Sequence, residues 1–401
     1  MWLKQSMLLL ASLLFSLLLI ELALRILGWS YPVFAQPDAS LGWSFRPNVS
    51  GWSTHENTAY LKMNRFGFRG PDWPERPAAG TFRIAVMGDS FVDSSNLADE
   101  HALPNVIEKQ LAACPAFANR RAEVLNFGVS GYGTAQEYLT LRRQIAPLHP
   151  NLVLLAFYVG NDVMNNSLAL NGTDQKAKPY FVALPSGELR LDDSFVKTGA
   201  FRQAVKSDWR KRLVNHSHLL QVLKQVYLRR PVIPAPIPAQ ERTATQTHTL
   251  YRPESVQLFS PPADETWRSA WEVTEKILLR MRDWAKQQSV DFDLVIIPDP
   301  IQALPGADWR RATAQAINVA ESEYPAKRIA QFAAQNGIPY LSLLEPFQAY
   351  GDREHVFLYG FPPSLGNGHL NATGNQVGGK MIADWICNKA SPSQSSSKAP
   401  L

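Results

Sequence analysis

The 401-residue chain reads as an α/β protein with a parallel sheet covered by helices, and three observations predict this. Short apolar runs recur and each stops at a glycine or turn residue. Stretches of helical period separate them, and those stretches have the length of crossover connections between parallel strands. The apolar runs fall at 82–87, 123–127, 152–159, 292–297 and 338–344, which makes five strands. The helical stretches fall at about 103–113, 135–145, 266–288 and 326–335, and a last helix is expected over 373–388.

The N-terminal element is of another kind. Residues 7–24 form an eighteen-residue apolar run interrupted by Ser12, Ser16 and Glu21, with Lys4 before it and Arg25 after it. That is long enough to cross a membrane as a helix. A signal peptide cut after Val33-Phe34-Ala35 is the alternative, but the apolar run ends about ten residues before Ala35, further than such a site usually lies. The expectation is therefore an uncleaved signal anchor over residues 1–28, with the rest of the chain outside the cytoplasm.

Residues 29–80 are rich in Trp, Pro, Gly and Asn without a sustained period and read as an irregular stem, in which 64–70 (NRFGFRG) forms a packed turn. The main domain is expected over 81–390, with a long insertion at about 165–264. Residues 391–401 read as a disordered tail. Within the insertion, 206–230 sets many Lys and Arg against Asp208 alone, with Leu213, Leu219, Leu220, Leu223 and Val226 at helical spacing. This is a helix with a solvated basic face that covers the domain, or a surface for an anionic glycan or the nearby membrane. Residues 231–238 (PVIPAPIP) read as an extended spacer.

Composition narrows the functional classes. Hydrophobic residues make up 45% and charged residues 19%, and 40 basic against 35 acidic side chains leave a formal charge of +5. This small excess comes without a basic motif interleaved with aromatics, so nucleic acid is not an expected partner. Cys114 and Cys387 are too far apart for a zinc knuckle or a redox pair. Export permits a disulfide between them, and two buried thiols is the reading preferred here.

Chemistry gathers at the carboxyl ends of the strands, where open parallel sheets place their sites. The first strand ends at Gly88-Asp89-Ser90, where a sharp turn presents a hydroxyl. The second is followed by Gly131 in GVSGYG, which exposes a backbone N–H. The third is followed by Asn161 in YVGND, a carboxamide donor. A nucleophile with two such donors forms an oxyanion hole for acyl transfer. The hydroxyl requires a base, and His369 in GHLNATG, just before the last helix, has the best setting of the eight histidines. His55, His101, His149, His216, His218, His248 and His355 read as surface or packing residues. Ser130 lacks the closing glycine of a nucleophile elbow. Asp89 and Asp162 read as turn and capping residues, and neither a metal nor a cofactor is expected.

The order Ser90, Gly131, Asn161, His369 at successive strand ends resembles the SGNH (GDSL-like) hydrolase family over residues 80–390, outside much of the insertion. The NRFGFRG and NFGVSGYGTAQEYL segments are similar to its membrane-anchored bacterial members. The resemblance implies a three-layer α/β/α fold with a flavodoxin-like five-stranded sheet. It also implies ester hydrolysis or acyl transfer, with Ser90 as nucleophile, His369 as base, and the N–H groups of Ser90 and Gly131 with the Asn161 amide as oxyanion donors. The family usually sets an Asp two or three residues before this histidine, where this chain has Gly366 and Asn367. Asn367 is the candidate to orient the imidazole, with Asp299, Asp352 and Glu354 as alternative acids.

The expected function is a serine esterase or O-acyltransferase acting on acyl, plausibly acetyl, esters of cell-envelope or secreted polysaccharide. Two other readings stand beside it. One is a catalytically impaired glycan-binding or assembly scaffold, motivated by Gly366 and Asn367. The other is a lipase or lysophospholipase, motivated by the anchor and the basic insertion.

Overall fold

The computed structural model describes residues 2–171, 177–228, 256–319 and 321–391. The spacer at 231–238, His248 and nearly all of the expected tail lie outside them. Five parallel strands form the central sheet: β1 (Thr81–Gly88), β2 (Arg121–Gly128), β3 (Leu152–Tyr158), β4 (Asp291–Ile297) and β5 (Tyr340–Ser342). Their order across the sheet is 2-1-3-4-5, the flavodoxin-like winding, with its switch point between β1 and β3. In register, Ile84 of β1 faces Val124 of β2 on one side and Leu152 of β3 on the other.

Both sheet faces are buried, as the continuous apolar strands require. Ala85, Met87, Phe127, Leu155 and Ile296 point to one face, where helices Thr134–Thr140, Glu265–Gln288 and Tyr324–Gln335 pack. Ile84, Val86, Leu154, Val295 and Ile297 point to the other, under helices Leu103–Leu111, Leu344–Glu354 and Ala372–Ala390. Three layers result, as expected. The fifth strand is shorter than its apolar run, because Leu343 and Leu344 are buried where the chain already turns into a helix.

The stem is not irregular. It folds as two antiparallel hairpins, Ala35–Asp38 with Gly42–Phe45 and Ser50–Ser53 with Ala59–Lys62. Strands of four residues carry too few alternations to show a period, which is why the sequence hides them. The turn at 64–70 is packed as expected: the Asn64 carboxamide oxygen accepts from the N–H groups of Phe66 and Phe68. From there Phe68 and Trp73 enter the main core beside Phe127. Buried Arg69 donates to the carbonyls of Asp93, Ser94 and Leu97, tying the stem to the turn after β1.

Among its described residues the insertion forms a short antiparallel hairpin, Tyr180–Ala183 with Leu189–Asp192, followed by two long helices, Gly199–Asn215 and His218–Leu228. The helical period holds, but the side chains do not face as a covering helix would place them. Leu213, Leu220, Leu223 and Val226 are exposed. N-terminal to the domain, residues Trp2–Ile26 form one apolar helix, long enough to cross a membrane and almost wholly unburied.

Cys114 and Cys387 are joined in a disulfide, not held as two thiols. It ties the segment after helix Leu103–Leu111 to the C-terminal helix across 273 residues of chain. A bond closing so long a loop removes much unfolded-state entropy. Replacing both cysteines with serine should therefore lower unfolding free energy by about 2–5 kcal/mol. Urea titration of the double variant, and of the wild type under reductant, checks this: the two should lose the same amount.

Candidate active site

The Asp89 carboxylate accepts from Phe91 N–H at 2.9 Å and caps the short helix Ser90–Asp93, the expected turn role. The helix starts directly after β1, so Ser90 sits at the carboxyl edge of the sheet. It lies close against β2 because Gly128 has no side chain: a Cβ there would come within 2.1 Å of the Asp93 amide nitrogen. His369 returns to this edge on the segment before helix Ala372–Ala390, whose N-terminus the Asn371 carboxamide caps. Its Nε2 lies 2.7 Å from Ser90 Oγ, within hydrogen-bond reach for proton transfer.

Gly131 lies at the same edge. It lines, with Ser90, His369, His55, Ser95, Asn96 and Ser130, a pocket of about 280 Å³. Among the described residues the Gly131 N–H donates to no other backbone or side-chain group. Asn161 stands after β3 and donates one amide hydrogen to Asp89 Oδ2 at 2.9 Å. A carboxylate in that position fixes which end of the carboxamide is NH₂, leaving the second hydrogen to donate elsewhere. Burial pushes the Asp89 carboxyl up, against the bonds from Phe91 and Asn161. Asp162 also has its expected local role, accepting from Tyr158 N–H.

The other imidazole nitrogen faces an acid that sequence reasoning missed. Glu56 Oε1 lies 2.8 Å from His369 Nδ1, an ion-pair distance, although the ring N–H does not point squarely at the oxygen. Oε2 accepts the backbone N–H of His369 at 3.3 Å and an amide hydrogen of Asn96 at 3.4 Å. Glu56 comes from the tip of the second stem hairpin, at a φ of 57°. A non-glycine residue adopts this region at a small cost, which the contacts of the hairpin tip must hold.

The acids expected in its place are engaged elsewhere. Asn367 does not orient the ring, since Nδ1 faces Glu56. Asp299 accepts from Tyr158 OH and caps Ile301, Asp352 pairs with Arg310, and Glu354 pairs with Arg353. His55, read as a surface or packing residue, instead lines the pocket beside the hairpin tip. Ser130 donates to buried Asp93 at 2.5 Å, whereas the imidazole of His369 is at Ser90.

The electrostatics follow from these contacts. Burial alone would lower the His369 imidazole, but its contact with Glu56 and the charges of Glu56, Asp89 and Asp93 outweigh it and raise the pKa above the usual histidine value. Burial pushes the Glu56 carboxyl up, and its contacts with His369 and Asn96 overcome this and hold it below the usual range. Gly368 makes the approach possible: a Cβ there would meet Glu56 Oε1 at 2.8 Å, and its φ is +89°. Gly368→Ala should push the carboxylate aside and lower kcat about 10²-fold, the cost of an ångström-scale misplacement. Steady-state ester hydrolysis is the check, with a small loss of thermal stability expected from alanine at this φ.

Among solved structures, the chain is similar to a lipase/acylhydrolase from Enterococcus faecalis, with 14% identity, 78% of this chain and 99% of that one covered, and a TM-score of 0.37. It is also similar to an acetyl xylan esterase from Geobacillus stearothermophilus, with 11% identity, 79% and 97% covered, and a TM-score of 0.37. A third similarity is to a GDSL-like lipase from Bacteroides thetaiotaomicron, with 13% identity, 77% and 89% covered, and a TM-score of 0.32. No curated protein matches. Residues 84–186, which hold Ser90, Gly131 and Asn161, match the family model described as GDSL-like Lipase/Acylhydrolase.

Proposed function

We propose that this protein is a membrane-anchored serine esterase that removes short acyl groups, acetyl foremost, from carbohydrate outside the cytoplasm, with Ser90, His369 and Glu56 as its triad. The observation that carries the reading is His369, with Nε2 2.7 Å from the Ser90 hydroxyl and Nδ1 2.8 Å from the Glu56 carboxylate.

Ser90 Oγ attacks the acyl carbon while its proton passes to His369 Nε2. The carbonyl oxygen becomes an oxyanion that accepts from the N–H groups of Ser90 and Gly131 and from the free amide hydrogen of Asn161. When the tetrahedral species collapses, the C–O bond to the alcohol breaks and His369 returns the proton to the departing oxygen. Water then attacks the acyl-serine ester, losing its proton to His369; the bond from the acyl carbon to Ser90 Oγ breaks, His369 returns that proton to Oγ, and the acid leaves. Glu56 stabilises the imidazolium formed in each half-reaction. A sugar hydroxyl in place of that water makes the second half-reaction a transfer. Glu56 supplies the carboxylate missing at 366 and 367, which argues against an impaired scaffold.

The small pocket, with Ser95, Asn96, Ser130 and His55 on its walls, favours short acyl groups over lipid chains. Trp43 stands half-buried beside Gly131, its Nε1 donating to the Ser130 carbonyl and its ring against Tyr132. Trp73 and Tyr132 are buried and serve packing. The disulfide suits an oxidising compartment. Glu21 and Arg25 of the apolar helix bond to the insertion, so the folded protein uses the segment that signal cleavage would remove.

The test is hydrolysis of acetyl and decanoyl chromogenic esters by the full chain in detergent, followed by acetate release from an O-acetylated polysaccharide and fluorophosphonate labelling. Acetyl turnover above decanoyl, with the label on Ser90, is the expected result. Faster decanoyl hydrolysis would establish the lipase reading instead, and neither turnover nor labelling would leave the scaffold.

A further inference from the structure

The two insertion helices carry an apolar surface that the rest of the described chain leaves bare. On helix Gly199–Asn215, Val205, Trp209 and Leu213 recur every fourth residue and so form one stripe, with exposures of 51%, 59% and 53%. Arg202, Lys206 and Arg210 run beside it with the same spacing and are also exposed. Along the flank of this stripe Phe201 and Asp208 are buried, the latter paired with Arg46 of the stem. On helix His218–Leu228, Leu220, Leu223 and Tyr227 are exposed on one side. The other side is polar and occupied: the Gln221 carboxamide bonds to Ser30 and Tyr31, and that of Gln225 to Thr54. The second helix thus turns its polar side inward and its apolar side out, and the first leaves three large apolar side chains bare, neither of which suits a helix that covers a soluble domain.

Their position explains this exposure. The corner between them is clamped to the end of the apolar N-terminal helix. Glu21 accepts from the Ser217 hydroxyl at 2.9 Å and from the N–H groups of His218 and Leu219 at 3.0 and 2.8 Å. Arg25 donates to the His216 carbonyl at 2.7 Å. The N-terminal helix has 25 residues, about 38 Å at 1.5 Å per residue, whereas the hydrocarbon core of a bilayer is about 30 Å thick. Glu21 and Arg25, in its last two turns, therefore fall at the boundary with the headgroups, and the corner with them.

We infer that the two insertion helices lie on the membrane surface as an interfacial hairpin. The stripe of Val205, Trp209 and Leu213, with Leu223 and Tyr227, enters the boundary between headgroups and acyl chains. Arg202, Lys206 and Arg210, which flank the stripe, meet anionic lipid headgroups. A single spanning helix leaves a domain free to tilt and rotate; this second attachment fixes the height and direction of the Ser90 pocket above the bilayer. The inference rests on the membrane anchor proposed above.

The test uses the full chain in vesicles of phosphatidylglycerol and phosphatidylcholine, with an environment-sensitive fluorophore on a single introduced cysteine. Trp209→Cys and Leu223→Cys probe the two helices, Leu13→Cys the span, and Arg353→Cys an exposed helix of the domain. A blue shift and loss of emission to headgroup-level nitroxide lipid at 209 and 223, deep-nitroxide quenching at 13 and none at 353 is the expected pattern. Reversing charge at Arg202, Lys206 and Arg210 to Glu should weaken the signal at 209 in anionic vesicles. Quenching at 13 with water-like emission at 209 and 223 would overturn the hairpin while keeping the anchor. Water-like emission at all four positions would remove both. A shift at 209 on adding an anionic polysaccharide, without lipid quenching, would give the surface to a glycan.

Discussion

Ser90→Ala and His369→Ala should each lower kcat for acetyl ester hydrolysis by about 10⁴-fold or more, and the double variant should be no worse than either single one. The equality follows from the 2.7 Å contact between Oγ and Nε2. Without the imidazole the hydroxyl keeps its proton, and without the hydroxyl the imidazole has no proton to take. Either loss therefore removes the same step. What survives comes from the oxyanion donors, which bind the charge whatever attacks the carbonyl. Progress curves with the chromogenic ester read both quantities. Additive losses would mean that the residues act in different steps and would dissolve the pair. Both variants should fold, since the Ser90 hydroxyl and the His369 ring lie at a pocket wall and not in either core.

The part of this site that the sequence displays is the part attached to regular elements. β1, β2 and β3 are apolar runs that end at glycine, so both the strands and the residues just beyond them can be read, and with them Ser90, Gly131 and Asn161. His369 is legible because its segment precedes a helix with an Asn cap. Periodicity, however, does not say which side of a helix is buried. The insertion helices have the expected spacing, but Leu213 and Leu223 face outward because Asp208 and Gln221 are the residues held inside. Nor does it register strands of four residues, so the hairpins of the stem read as irregular chain. Pairing of Cys114 with Cys387 depends on two helices lying side by side in one layer, and nothing in their spacing signals it.

Glu56 is the extreme case of this blindness, and its replacement is the sharper test. It lies 313 residues from His369 in sequence, on a hairpin tip, and no motif surrounds it. Glu56→Gln keeps the shape of the side chain and removes its charge. We expect kcat to fall by about 10²- to 10⁴-fold, the upper figure being that of a serine triad deprived of its acid. The pH profile separates this from a structural loss. The neutral imidazole is the base, so the rate rises with pH as His369 loses its proton, and in the wild type that limb should lie above the ordinary histidine value near 6.5. Removing the Glu56 charge leaves burial, which disfavours the imidazolium, opposed only by the charges of Asp89 and Asp93, so the limb should move to lower pH while the plateau drops. A merely loosened loop would lower the plateau and leave the limb in place. Asn367→Asp, which supplies a carboxylate where the family usually has one, should leave the wild-type rate unchanged, because Nδ1 already faces Glu56. A large gain from that substitution would instead show that Glu56 does not serve as the acid, and that the hairpin tip only closes over the pocket.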